Sequence, residues 1–222
     1  MKMNKLIVLS LILLILFTLS AVSAEKNITN FTSNGDLLTS DSPNANFNDL
    51  NKDINESTNE LKLTHDYVYD EGNDINVTDG INVSKSNFLL DGNGYSISNL
   101  KINKEDSDYQ GLFGYANGAT VKNLSLDDVE VKGKSNIGGL TGCSYNGSTI
   151  ENCTVSGSVT GKGSHTGGLV GNNDKNSIIQ NCTSSATVTG TNQQTGGLVG
   201  QNINSSTIQN CEASGSITGN NT

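Results

Sequence analysis

Gly139-Leu140-Thr141-Gly142, Ile150-Glu151-Asn152-Cys153 and Val159-Thr160-Gly161 form a phrase that the chain repeats. It returns as Gly168-Leu169-Val170-Gly171 with Ile179-Gln180-Asn181-Cys182, then as Gly197-Leu198-Val199-Gly200 with Ile208-Gln209-Asn210-Cys211. A weaker copy comes first, Gly111-Leu112-Phe113-Gly114 with Val121-Lys122-Asn123-Leu124. From Asn123 to Asn152, Asn181 and Asn210 the step is a constant 29 residues. A fixed period of this length marks a solenoid, a propeller or another array.

The phases within one period decide between them. Cys153, Val155, Gly157 and Val159 share a parity, as do Cys182, Ser184, Ala186 and Val188. On a strand that parity is one face, and its small and apolar members suit an inward one. Ile150, Ile179 and Ile208 stand three residues before the Cys, out of phase with it. A corner at the repeated Asn must lie between. Each period therefore holds three short strands: around Gly-Leu-Val-Gly, around Ile-x-Asn, and from Cys to Val-Thr-Gly. Polar connectors such as Lys162-Gly163-Ser164-His165 join the periods. A propeller blade needs four strands and roughly 40 residues, so the period favours one turn of a β-solenoid with turns about 4.8 Å apart.

The flanking sequence sets the domain plan. Lys2 and Lys5, the apolar run Leu6–Leu19 and Ala21-Val22-Ser23-Ala24 are the three parts of a secretory signal, giving 1–24 as signal peptide. Residues 25–60 are rich in Asn, Ser, Thr and Asp without sustained apolar period, and read as a disordered, flexible spacer. Residues 61–110 are N-terminal β turns leading into the array, and 111–222 are the repeats. In that lead-in Ile75 and Val77, then Ile81 and Val83, alternate with polar residues around a Thr78-Asp79-Gly80 turn. Asp91-Gly92-Asn93-Gly94 marks a tight turn. The chain stops at Gly219-Asn220-Asn221-Thr222, where a further repeat would begin without a polar cap. The expectation there is either that the array continues in a partner molecule, by end-to-end association through that turn, or that the chain is the front of a larger protein.

The formal net charge is −9 and the 13 basic residues are all Lys. That balance excludes nucleic acid, which asks for a basic footprint, and an anionic membrane surface. With no Trp and few aromatics, the core must come from Ile, Val, Leu, Ala and Cys.

Gly-Gly-Leu-Val-Gly, then Ile-x-Asn-Cys, then Val-Thr-Gly resembles the GLUG repeat. Phe88-Leu89-Leu90-Asp91-Gly92-Asn93-Gly94-Tyr95-Ser96-Ile97, followed by Gly111-Leu112-Phe113-Gly114-Tyr115, resembles the lead-in that often precedes it. Together, roughly 88 to 219 resemble an adhesin-like surface protein of bacteria or methanogenic archaea. The resemblance implies a parallel β-helix-like array, secreted or cell-attached. GLUG repeats also resemble parts of IgA-cleaving metallopeptidases, but this chain has no His-Glu-x-x-His.

No residue stands out as catalytic, cofactor-binding or metal-ligating. Cys153, Cys182 and Cys211 allow core filling, a ladder disulfide or a metal site. Leu124 at the matching place of the first copy favours core filling. Cys143, aligned with Asn172 and Gln201, is expected to be exposed. The recurring Asn reads as a corner ladder rather than a ligand row. Asn152 and Asn181 match the glycosylation pattern, as do Asn27, Asn30 and Asn55, and a stacked corner is expected to keep the first two bare. Of the two histidines, His65 and His165, the second lies in a polar connector with no carboxylate or Cys partner nearby in sequence and reads as a surface-loop residue. Asp127, Asp128 and Glu130 form the one dense acidic group on a strand, with Asp106 and Asp108 in the loop before it, sites for weak Ca²⁺ binding only if their spacing recurred.

The expectation is a non-enzymatic, secreted or cell-surface adhesin-like protein without cofactor, binding an extracellular glycan or a surface protein. Asn172, Asn173, Gln193, Gln194, Gln201 and Asn202 are its contact candidates. The alternatives are a polysaccharide-active enzyme using Asp127 or Asp128, and a passive spacer.

Overall fold

A computed structural model describes residues 45–72, 74, 87–191 and 194–219. The signal segment, the spacer up to residue 44, the strands expected around Ile75–Val83, Gln193 and the last three residues lie outside the described residues.

The chain coils into a parallel β-solenoid with three stacked faces. The first face holds Phe113–Asn117, Thr141–Tyr145, Val170–Asn173 and Val199–Asn202. The second is six-stranded and runs from Glu60–Lys62 through Leu89–Asp91, Thr120–Lys122, Thr149–Glu151 and Ile178–Gln180 to Thr207–Gln209. The third, which starts at Tyr67–Val68, centres on the long strands Ser125–Gly133 and Thr154–Gly161. Every pairing among the described residues is parallel, and on the inward side it stacks like over like in several columns. Val121, Ile150, Ile179 and Ile208 form one column, and Val131, Val159, Val188 and Ile217 another. These columns are the core. Each turn buries its apolar members only against its neighbours, so Ile208 and Ile217 in the last turn remain 38% and 52% exposed.

The repeated Asn makes the corner between the second and third faces. Asn123, Asn152, Asn181 and Asn210 all have φ between 52° and 54°, a left-handed conformation that Asn tolerates better than other side chains. The phase break between Ile and Cys is this one residue. The amide of Asn152 donates to Asn123 Oδ1 at 3.1 Å, and that of Asn123 donates to Asp91 Oδ1 at 3.0 Å. The expected crowding at this corner is absent, since Asn152 and Asn181 are exposed.

Three further details depart from the expected three-strand turn. The third face carries a bulge, because Ser125–Gly133 has one more residue than its partner strand: Asp127 and Asp128 (φ 57°) stand against the single Ser156, just before Val129 pairs with Gly157 at φ 111°. The connectors add a fourth short pairing of Thr166–Gly167 with Thr195–Gly196. From Thr183 onward the third strand splits in two around Ser185 and Ala186.

The spacer expectation is corrected at its C-terminal end. Residues Phe47–Glu56 form a helix, and Phe47, Leu50 and Ile54 are 0–2% exposed against the first turn. Their i, i+3, i+7 spacing is one apolar helical stripe. Asn46 closes a reciprocal capping box with Asp49. The buried Asp74 carboxylate accepts the N–H groups of Phe47, Asn48 and Asp70, which fixes the helix start. No helix of the described residues is long and apolar enough to cross a membrane.

Candidate functional site

The outer side of the first face is aromatic where the solenoid is otherwise polar. Parallel register puts Tyr115, Cys143, Asn172 and Gln201 in one column across four adjacent turns, with Tyr145 beside Asn117 in the next. Tyr109, held at φ 59° just before the face, lays its ring 5.8 Å from that of Tyr115, edge-on at 76°. Tyr115 and Tyr145 are 5.5 Å apart and tilted by 41°. Lys175 carries its ammonium 5.0 Å from the Tyr145 ring centroid, and the Tyr145 hydroxyl beside it pushes the lysine pKa up.

These rings cover Cys143, which is 3% exposed rather than exposed as its sequence position suggested. Burial pushes its thiol up to about 12, assisted by the negative charge of Asp174. At neutral pH it is a protonated thiol, not a nucleophile. Burial likewise raises the phenols of Tyr109 and Tyr115, and the thiol beneath them adds to the shift.

The contact candidates divide by face. Asn172 and Gln201 are half-buried on the tyrosine side, and Asn172 Oδ1 has no hydrogen-bond partner. Asn173 is corrected: it points inward, fully buried, with its amide donating to Asn202 Oδ1 at 2.8 Å. Asn202 is exposed and its amide donates to Ser206 O, and Gln194 is exposed at φ 64°.

The acidic group lies on the third face instead. Tyr69, Glu71, Asn99, Lys101, Asp128 and Glu130 line a shallow cavity of about 370 Å³. Lys101 pairs with Glu71 at 2.9 Å and Lys132 with Glu130 at 2.6 Å. The Lys132 ammonium holds the Glu130 carboxyl below its ordinary range, the opposite of what a general acid needs. Asp127 accepts from Ser125 Oγ, and Asp108 from the Ser135 N–H. Among the described residues no three metal-ligating side chains come together.

The three array cysteines stack as columns do. The N–H of Cys153 points at Cys182 Sγ and that of Cys182 at Cys211 Sγ, each at 3.4 Å. All four cysteines are free thiols, with Cys153 and Cys182 buried and Cys211 half-buried. His165 Nδ1 lies 2.9 Å from Asn136 Oδ1, and burial lowers its pKa. His65 rests on the Tyr67 ring at 4.6 Å. The tyrosine row was not singled out in the sequence, because Tyr109, Tyr115 and Tyr145 share no period. The signal that finds them is positional: Tyr115 and Tyr145 each follow the Gly-Leu-x-Gly strand of their own turn.

The GLUG motif matches residues 133–160, 162–189 and 191–218. No curated protein matches the chain. Its fold is similar to a crystal structure described as a putative immunoglobulin A1 protease from Bacteroides ovatus, with a TM-score of 0.60 and 22% identity. The match covers 79% of this chain and 66% of that one, so the chain spans about two thirds of its length. The three tandem motifs supply the stacked turns just described, so residues 133–218 of this chain are an array of GLUG-motif repeats.

Proposed function

We propose that the protein is an extracellular, adhesin-like contact protein that works by binding through the first face rather than by chemistry. The observation that carries this reading is the row of Tyr109, Tyr115 and Tyr145 on an outer sheet surface. Aromatic rings there bury large area at small entropic loss, which is why Tyr is enriched at recognition surfaces. A solenoid adds reach, because its columns repeat along one axis and offer an extended platform. The paired lysines and carboxylates of the third face are exposed ion pairs, which contribute little beyond solubility.

Beads coated with the full chain and passed over arrayed extracellular glycans and surface proteins test the reading. Retention that falls when Tyr115 and Tyr145 become Ala is expected. Retention equal for the chain and this double variant would remove the first face from the account.

A further inference from the structure

Resting on that reading, we infer that the first face binds an uncharged polysaccharide, stacked on Tyr115 and Tyr145 and running across the strands toward the amides of Asn172 and Gln201.

The argument begins with register. Tyr115, Cys143, Asn172 and Gln201 stand in one column, separated by the spacing of neighbouring parallel strands, about 4.8 Å per turn. A linear ligand that follows the column leaves the ring of Tyr115, crosses the turn of the buried Cys143 and then meets two amides in succession. The rings are preorganised, since Tyr109, Tyr115 and Tyr145 brace one another and roof Cys143. An aromatic face carries negative quadrupole density, and the C–H groups on one side of a pyranose ring are its apolar, weakly positive complement. Amides and phenols both donate and accept, which matches ring hydroxyls that do the same.

Charge narrows the class. The chain carries −9 overall, yet the charged groups beside the row are engaged within the protein. Asp174 Oδ1 accepts from the Lys175 N–H and from the Asn204 amide, each at 2.7 Å. The Lys175 ammonium faces the Tyr145 ring. Asp108, next to Tyr109, accepts from Ser135. One cation against these carboxylates leaves no surplus positive charge for a polyanion, so an uncharged polymer is the complement.

The test is electrophoresis of the full chain through gels holding hydroxyethylcellulose, mannan or dextran, with polygalacturonate as the charged contrast. Tyrosine emission is titrated in parallel, and no Trp masks it. Retardation by at least one neutral polymer is expected, unchanged between low and high salt. Tyr115→Ala and Tyr145→Ala should each weaken it about tenfold, the scale of one lost aromatic stacking contact. Lys101→Ala, on the exposed third face, should stay near wild type, and a far-ultraviolet circular dichroism spectrum like that of wild type controls for folding of each Tyr variant. The inference is overturned if no neutral polymer retards the chain, if only polygalacturonate does so in a salt-dependent way, or if the Ala variants bind as well as wild type. Tyrosine-dependent retention of beads on a surface protein, with no neutral polymer bound, would sink this inference alone. Retention indifferent to both tyrosines would sink the binding face as well.

Discussion

Replacing Tyr115 with Ala should open the roof over Cys143 and switch on its thiol. In the native chain Cys143 is 3% exposed and its pKa stands at about 12, against an ordinary value of 9.0. Losing the desolvation would return it toward 9.0, and three pKa units change the thiolate fraction at neutral pH by about a thousandfold. A less basic thiolate is also a weaker nucleophile, with a Brønsted slope near 0.45, which takes back roughly twentyfold. With Asn172 and the Asp174 charge still in place, the net expectation is a reaction with an aromatic disulfide reagent that is faster by up to about fifty-fold, before any gain in access. Cys211 is half-buried and reacts in both proteins, so labelling must be followed peptide by peptide. Tyr115 lies on the outer side of the sheet, and the core columns are untouched by the change. Equal labelling of Cys143 in wild type and variant, or native labelling as fast as in urea, would refute the covering role of the rings.

Other outcomes follow from the same geometry. Gly157→Ala should destabilise the array by about 3 kcal/mol or more in denaturant melts: its φ is 111°, and an added Cβ would meet Val129 O at 2.2 Å. Asp74→Ala removes the carboxylate that accepts the N–H groups of Phe47 and Asn48 at the helix start and of Asp70 beside it. Hydrogen exchange should then show Phe47–Glu56 opening at least about 3 kcal/mol more easily. Burial alone would raise the Asp91 carboxyl, but the Asn123 amide, the Asn93 N–H and Lys122 outweigh it and lower its pKa. A lowered carboxylate contributes stability above its unfolded pKa and loses it as pH falls through the folded one. The stability gap between wild type and Asp91→Asn, followed by acid melts, should therefore close toward low pH.

The sequence carried the solenoid because every column repeats at 29 residues and parallel register turns that period directly into stacking. The Ile-x-Asn-Cys phase break announced a corner, and the left-handed Asn residues are that corner. The N-terminal helix was hidden by its length: three apolar residues, Phe47, Leu50 and Ile54, amount to barely two turns inside an Asn-rich stretch. Asp74, which fixes the helix start, is 27 residues away from Phe47. Cys143 looked exposed because Asn172 and Gln201 occupy its place in later turns. It is buried between Tyr115 of the preceding turn and Asn172 of the following one, with Tyr109 close by. The binding face was illegible for a related reason: periodic reasoning finds what repeats, and a site made of Tyr109, Tyr115 and Tyr145 is where the repeats differ.

The most direct measurement incubates the full chain with a panel of cell-surface and extracellular polysaccharides, reading bound protein and newly released sugar ends in the same wells. The account predicts binding without release, lost in the Tyr115→Ala, Tyr145→Ala double variant. Release of sugar ends that Asp128→Asn abolishes, or full binding by the double variant, would contradict it.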